Sequence, residues 1–343
     1  MHVTLLVPDL LWPRASREAY EGLELPALEL ILARARRRLF PPLGLEAWLC
    51  RAFEVERQQD WPVAPLMLAF DGGEPGEDYW LCADPVHLEA RRDRLVLFGP
   101  EVVRPTREES DALVAALNRH FAADAIAFAA PHPERWYLRA EPAPRLVTRE
   151  LSAAAGAEVE MDLPAGEDGP RWRRLLNEIQ MLLHDHPVNQ AREARGAPTA
   201  NGLWLWGGGR LPRVPGRPFS HVAAGNPLAL ALAARSDAEP AVPGALTGRC
   251  APAACDRNAR VLVLAETPAA RYGDGESWRR ALAEVERAWG ATLLAALRER
   301  RVTSLAVVAL HPRACLRFEA NAADLLKFWR RPRPLAAHAP AAH

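Results

Sequence analysis

The residues able to do chemistry are few and scattered. Asp9 follows an almost continuous apolar run, Val3-Thr4-Leu5-Leu6-Val7, closed by Pro8. That pattern predicts a strand buried on both faces, with the Asp9 carboxylate at its C-terminal end, the edge where open α/β sheets collect ligands. His184-Asp185-His186 offers imidazole and carboxylate groups, both good ligands for zinc or manganese. Consecutive residues at a helix end point about 100° apart, however. Capping and hydrogen bonding are therefore expected of these histidines, with His186 ordering the turn Pro187-Val188-Asn189. Gly207-Gly208-Gly209 could bring backbone amides to a phosphate, but it lacks both GxGxxG spacing and a following lysine. It reads either as a tight structural turn or as a ligand-facing loop. Asn189 and Asn201 flank a polar connection and either pin loops or touch a ligand. No GxSxG elbow exists, so nothing supports a serine hydrolase.

The elements that must position these groups follow from periodicity. Helices are predicted over 26–38, 45–55, 108–121, 171–185, 227–234 and 277–298, where apolar residues recur at helical spacing. Pro187 is expected to stop the fourth of them. Strands are predicted over 3–7, 79–88, 93–99, 125–130, 202–206, 260–264 and 303–310. The second and third of these read as a hairpin, and with the next helix and strand they suggest a small α+β unit with an antiparallel sheet. After residue 201, strands alternating with long helices suggest a parallel sheet covered on both faces. Trp204 and Trp206, alternating with Leu203 and Leu205, are expected to be packing residues of that sheet.

Composition narrows the function classes. The chain has 343 residues, with 43 Lys plus Arg against 43 Asp plus Glu. A balanced chain is a poor general binder of phosphate backbones, so no nucleic-acid partner is expected. Lys327 is the single lysine, which removes phosphate-loop and Schiff-base lysine chemistry from nearly the whole chain. Five cysteines (Cys50, Cys82, Cys250, Cys255 and Cys315) form no CxxC pair and read as free thiols of a reducing compartment. With no secretory leader pattern and no apolar stretch near the ~20 residues of a membrane span, a cytoplasmic protein without a membrane partner is expected.

Several segments together resemble a known family. Leu5-Leu6-Val7-Pro8-Asp9-Leu10-Leu11-Trp12-Pro13, Ala83-Asp84-Pro85-Val86-His87-Leu88, and the block from Asn177 to Gly209 look like the RpfE-type regulatory proteins of proteobacteria. That block carries His-Pro-Val-Asn-Gln-Ala-Arg and Trp-Leu-Trp-Gly-Gly-Gly. The same pattern is similar to archaeal-type cofactor-independent phosphoglycerate mutases of the alkaline phosphatase superfamily. The resemblance implies an α/β fold: an alkaline phosphatase-like three-layer α/β/α core interrupted by a smaller inserted α+β domain. On this reading the core comprises 1–85 and 169–330, the insertion 86–168, and a flexible tail 331–343. In active members, two metal ions held by Asp and His clamp the phosphoryl group, and a Ser or Thr at a helix start takes it covalently. Asp9 matches the first metal position. Pro41-Pro42-Leu43-Gly44, before the helix near Leu45, offers no hydroxyl; Ser16 is the nearest alternative. Glu266 and His311 are what remains of the other metal pairs, Ala270 standing where a histidine is expected.

Asp9, Glu266 and His311 could therefore hold at most one vestigial divalent ion, Mn or Zn, and otherwise no cofactor is implied. The scaffold signature at Asn189, Arg192, Asn201, Gly207, Gly208, Gly209 and Arg210 is read as ligand-binding. No catalytic residue is assigned. The expectation is a catalytically degenerate, phosphoglycerate mutase-like pseudoenzyme whose partner is a phosphorylated small molecule or a regulatory protein. The alternative is an active metal-dependent phosphomutase or phosphatase with a rearranged site.

Overall fold

The structure, a computed structural model, describes residues 1–14, 16, 18–91, 94–159, 164–241, 258–267, 270 and 272–340. The chain forms two compact units, one made of Met1–Glu54 with Val214–His343 and the other of Val55–Arg213. The second unit is wider than the insertion expected over 86–168.

The first unit is built on a sheet whose centre is β1 (His2–Leu6). The described strands run β10 (Glu239–Pro240), β9 (His221–Ala223), β11 (Arg260–Leu264), β1, β12 (Ser304–His311), β13 (Ala314–Ala320) and β2 (Arg36–Phe40). The first five are mutually parallel, and β13 and β2 add antiparallel edges. Strand β1 pairs with β11 on one side and β12 on the other, which is why its side chains are apolar on both faces: Leu5 and Leu6 are both fully buried. One face packs on α1 (Pro26–Arg34) and on helices Gly275–Val285 and Ala291–Arg298, which a π turn, Glu286–Gly290, joins. Glu286 is buried there and accepts from the amides of Ala27 and Leu28 at 2.7 and 3.0 Å. It caps α1, whose own N-cap residue, Leu25, has no side-chain acceptor. Helix α2 (Leu45–Ala52) contacts α9 (Pro227–Arg235), which in turn contacts β9.

Two expectations for this unit are corrected. The helix expected over 26–38 ends at Arg34, and its basic tail becomes strand β2, pairing Arg37 with Phe318 and Leu39 with Leu316. The partner β13, about 275 residues away in sequence, lies outside any local window. The segment from 331, expected as a flexible tail, docks through Pro340. Leu335 is 1% exposed, and its amide donates to Glu29 of α1 at 2.9 Å.

The second unit carries an antiparallel sheet in the order β5 (Ile126–His132), β6 (Arg135–Ala140), β3 (Tyr79–Arg91), β4 (Arg94–Phe98) and β7 (Glu158–Val159), with β8 (Gly202–Gly209) also on β3. One face holds Leu81, Trp136, Leu138, Leu203 and Leu205 against α4 (Pro100–Val103), α5 (Arg107–His120) and α7 (Gly169–His184). Helix α3 (Val63–Phe70) packs against β3 and β8; α6 (Leu151–Ala154) is a single turn. Strand β8, expected in the parallel half, lies instead antiparallel to β3, Trp204 opposite Asp84 and Leu203 opposite Pro85. Its alternation suits a sheet covered on both faces, whatever the direction of its neighbours. Pro187 ends α7 as expected and also begins α8 (Pro187–Ala194), where its missing N–H costs nothing.

Cys50, Cys82 and Cys315 are buried and form no disulfide among the described residues, while Cys250 and Cys255 lie outside the described residues. Among the described residues no helix is long and apolar enough to cross a membrane.

Candidate functional site

The C-terminal ends of β11, β1 and β12 meet where chemistry is expected. The chain leaves β1 through Pro8-Asp9, leaves β11 through Glu266-Thr267, and ends β12 at His311. Backbone bonds continue the ladders to this edge, Ala265 N to Leu6 O at 2.9 Å and Leu310 N to Pro8 O at 2.9 Å. The Asp9 carbonyl accepts from the Trp278 indole at 2.7 Å and from the Thr267 hydroxyl at 3.4 Å, which fixes the loop that presents its carboxylate. Asn226, at the N-cap of α9, donates to Glu266 Oε1 at 3.2 Å.

His311 is tied into its own neighbourhood. Its Nδ1 accepts from the Arg313 amide at 3.2 Å. Burial holds the imidazole below its ordinary pKa, against the opposing pull of a backbone hydrogen bond with Trp12. Asp9, Glu266 and His311 thus end three adjacent strands. Among the described residues, however, no group of three or more His, Cys, Asp or Glu side chains is arranged to hold a metal ion. Thr267 and Ala270 supply no further donor of the Asp and His kind, and Pro268 and Ala269 lie outside the described residues. The residues present do not fit a two-metal phosphoryl clamp.

Helix α2 starts at Leu45 on a Gly44 N-cap that has no side-chain acceptor, and Pro41, Pro42 and Leu43 precede it. No hydroxyl or thiol stands at that helix start. Ser16 sits instead in the loop after β1, its amide bonded to Arg14 O at 2.9 Å.

The residues expected to bind ligand all lie in the second unit, where each has a traceable structural contact. Asn189 is 2% exposed; its amide donates to Leu183 O and Ala200 O at 2.8 and 2.9 Å and accepts from Ala200 N at 3.0 Å. It clasps the end of α7 to the approach of β8. Arg192, 3% exposed, donates to Pro198 O at 2.7 Å, to Val103 O, and to Glu109 at 2.5 Å. Glu109 also closes the capping box of α5 with Thr106 and pairs with Arg195 at 2.6 Å. Burial works to raise the Glu109 carboxyl, but the Thr106 amide and the two arginines outweigh it and hold it low. Asn201 exchanges two bonds with the Leu88 backbone, at 2.7 and 2.9 Å, and so extends the β3–β8 ladder with a side chain.

Gly207, Gly208 and Gly209 belong to β8 and are buried, so the reading as a ligand-facing loop is corrected. A Cβ on Gly208 would stand 2.4 Å from the Tyr79 hydroxyl, and one on Gly209 2.6 Å from Pro62 Cβ. Gly207 has φ +65°, and its Cβ would meet Val63 at 3.0 Å. These glycines let the strand lie close against its neighbours. Arg210 exchanges bonds with Gln58 at 2.8 and 2.9 Å and donates to the Glu77 carbonyl. His186 accepts from the Val188 amide at 3.2 Å as the N-cap of α8, which is the turn-ordering role expected of it.

The second unit also holds a buried polar network that the sequence reading misses. Asp84, 4% exposed, accepts from the Trp206 indole at 2.7 Å. Burial pushes its carboxyl up to about 7, against the Trp206 indole, the Trp136 amide and Arg135. Arg135 grips Asp71 through two bonds, at 2.8 and 2.5 Å, and the Tyr137 hydroxyl donates to the same carboxylate at 2.6 Å. The available signal is the alternation of polar and apolar residues in β3 and β6. It shows that one face carries polar groups but not which pair.

No protein-family model matches the chain. A 60-residue stretch is 38% identical to a probable 2,3-bisphosphoglycerate-independent phosphoglycerate mutase of Geobacter sulfurreducens, covering 18% of this chain and 15% of that protein. The corresponding mutase of Methanothrix thermoacetophila is 37% identical over 60 residues, with the same coverage. The match thus spans about 15% of these relatives' length. Among solved structures, a cofactor-independent phosphoglycerate mutase from Thermoplasma acidophilum superposes with a TM-score of 0.47 at 16% identity, over 93% of this chain and 89% of that one. The PH0037 protein of Pyrococcus horikoshii superposes with a TM-score of 0.54 at 14% identity, over 93% and 87%. The fold is mixed α/β and is shared with the PH0037 protein, and one stretch of 60 residues is locally homologous to 2,3-bisphosphoglycerate-independent phosphoglycerate mutases.

Proposed function

We propose that this chain is a catalytically degenerate phosphoglycerate mutase-like protein, kept for a regulatory or ligand-binding role of the RpfE type in the cytoplasm. The observation that carries the reading is the start of α2, where Pro41, Pro42, Leu43 and Gly44 offer no hydroxyl to accept a phosphoryl group. Covalent transfer needs a nucleophile that a base or metal can activate, and none stands there. The engagement of His311 supports the same reading: its Nδ1 accepts from the Arg313 amide and the ring also makes a backbone hydrogen bond with Trp12, so a metal would have to displace one of these contacts. A phosphorylated small molecule or a regulatory protein is the partner this reading implies.

A coupled assay of 2- and 3-phosphoglycerate interconversion, with manganese added, tests it. The reading expects no turnover above the buffer rate. Turnover that disappears in Asp9→Ala would establish the competing reading, an active mutase or phosphatase with a rearranged site.

A further inference from the structure

The first unit contains a cavity of about 890 Å³ away from the strand ends just described. It opens where β12 begins, at Thr303 to Leu305, and where β13 ends, at Ala320 and Asn321. His311 closes the other end of β12, on the order of 20 Å away at about 3.3 Å per residue. Six cationic side chains line the cavity, five arginines and Lys327, against two carboxylates, Glu319 and Asp324. Those carboxylates are engaged, Asp324 with Lys327 at 2.5 Å and Glu319 with Arg317 at 2.9 Å. Arg37 and Arg333 have no ion-pair partner among the described residues. Both bear on His338, which also lines the wall. Its Nε2 is buried without a hydrogen-bond partner among the described residues, and its ring meets Phe318 edge-on at 5.6 Å. Burial first, then the two arginines, hold its pKa low, so the ring itself adds no charge to this wall.

Arg37 and Arg333 line the cavity with no carboxylate paired to them among the described residues, and a bound oxyanion would supply that counter-charge. Their planar forks match phosphoryl oxygens, and the volume falls in the range of small-molecule sites, roughly 300–1,000 Å³. We propose that this cavity binds a small anion carrying at least two phosphoryl groups, at a site separate from the ends of β1, β11 and β12. The proposal does not depend on whether the strand-end site is catalytic.

Calorimetric titration of the full chain with pyrophosphate, in chelator and about 0.15 M salt, tests it. Saturable binding is expected, at least about tenfold tighter than for orthophosphate. The double variant Arg37→Glu, Arg333→Glu should weaken it by at least about tenfold, roughly one charged hydrogen bond's worth. Arg333→Gln should weaken it less, and Asp9→Ala should leave it within about twofold. Both arginines are exposed, so the melting temperatures of the variants should stay at the wild-type value. The proposal is overturned if wild-type protein does not bind pyrophosphate. It is equally overturned if Asp9→Ala abolishes binding, or if the double variant folds and binds as wild type.

Discussion

Replacing Asp84 by asparagine should make the protein less sensitive to rising pH. The carboxyl is buried in the second unit, accepts from the Trp206 indole at 2.7 Å, and is pushed up to about 7 by desolvation. Unfolded, it would return to its ordinary value near 3.8. Between those two values the folded state holds a proton that the unfolded state has lost, so stability falls as pH rises through the window and levels off above about 7. Each pH unit is worth about 1.4 kcal/mol, so from pH 5 to pH 8 this group removes about 3 kcal/mol from the wild type. Asparagine presents the same acceptor to Trp206 and never ionises. Urea unfolding of both proteins, followed by tryptophan fluorescence at pH 5 and pH 8, gives the difference directly. The advantage of Asp84→Asn over wild type should grow by about 3 kcal/mol between the two pH values. An equal difference at both would show that Asp84 ionises freely in the folded state and would refute the burial argument.

Three further outcomes follow from the geometry. Gly208→Ala places a methyl 2.4 Å from the Tyr79 hydroxyl, within the strand, and should cost about 2–3 kcal/mol in the same unfolding measurement; a cost below about 0.5 kcal/mol would mean that β8 stands farther from Tyr79. Arg192→Ala leaves the Val103 and Pro198 carbonyls short of a donor and Glu109 with Arg195 and the Thr106 amide, for an expected loss of about 3 kcal/mol. A neutral result would show that the pair is not closed to water. The His311 imidazole should titrate below its ordinary value in nitrogen-detected NMR, because burial disfavours its charged form, and added manganese should leave its signals unbroadened. Selective broadening at low manganese would reveal a metal site that the described side chains do not form.

Much of the first unit could be read from sequence because its signals are local. The run from Val3 to Val7 and the segment 260–264 are apolar strands flanked by Pro8 and by Glu266, and they form neighbouring parallel strands as their composition requires. What failed was non-local. Arg36-Arg37-Arg38 continues a helical pattern on paper, and only β13 makes it a strand. The sequence of β8 contains two tryptophans and three glycines that suit a buried strand, but nothing in it names β3 as the partner or antiparallel as the direction. The polar motif around Asn189, Arg192 and Asn201 is legible as a constellation, while its roles in clasping loops and extending a ladder depend on backbone groups that no side-chain pattern displays. The arginine-lined cavity was equally hidden, because Arg37 and Arg333 come from opposite ends of the chain.

The claim that no nucleophile is available is tested most directly by looking for the covalent intermediate itself. The protein should be incubated with manganese and 2- or 3-phosphoglycerate, quenched in acid, and its intact mass recorded. The account predicts an unchanged mass, since the start of α2 has no hydroxyl. A phosphoryl adduct mapped to a serine or threonine, Ser16 foremost, would contradict it and place an active nucleophile in the loop after β1.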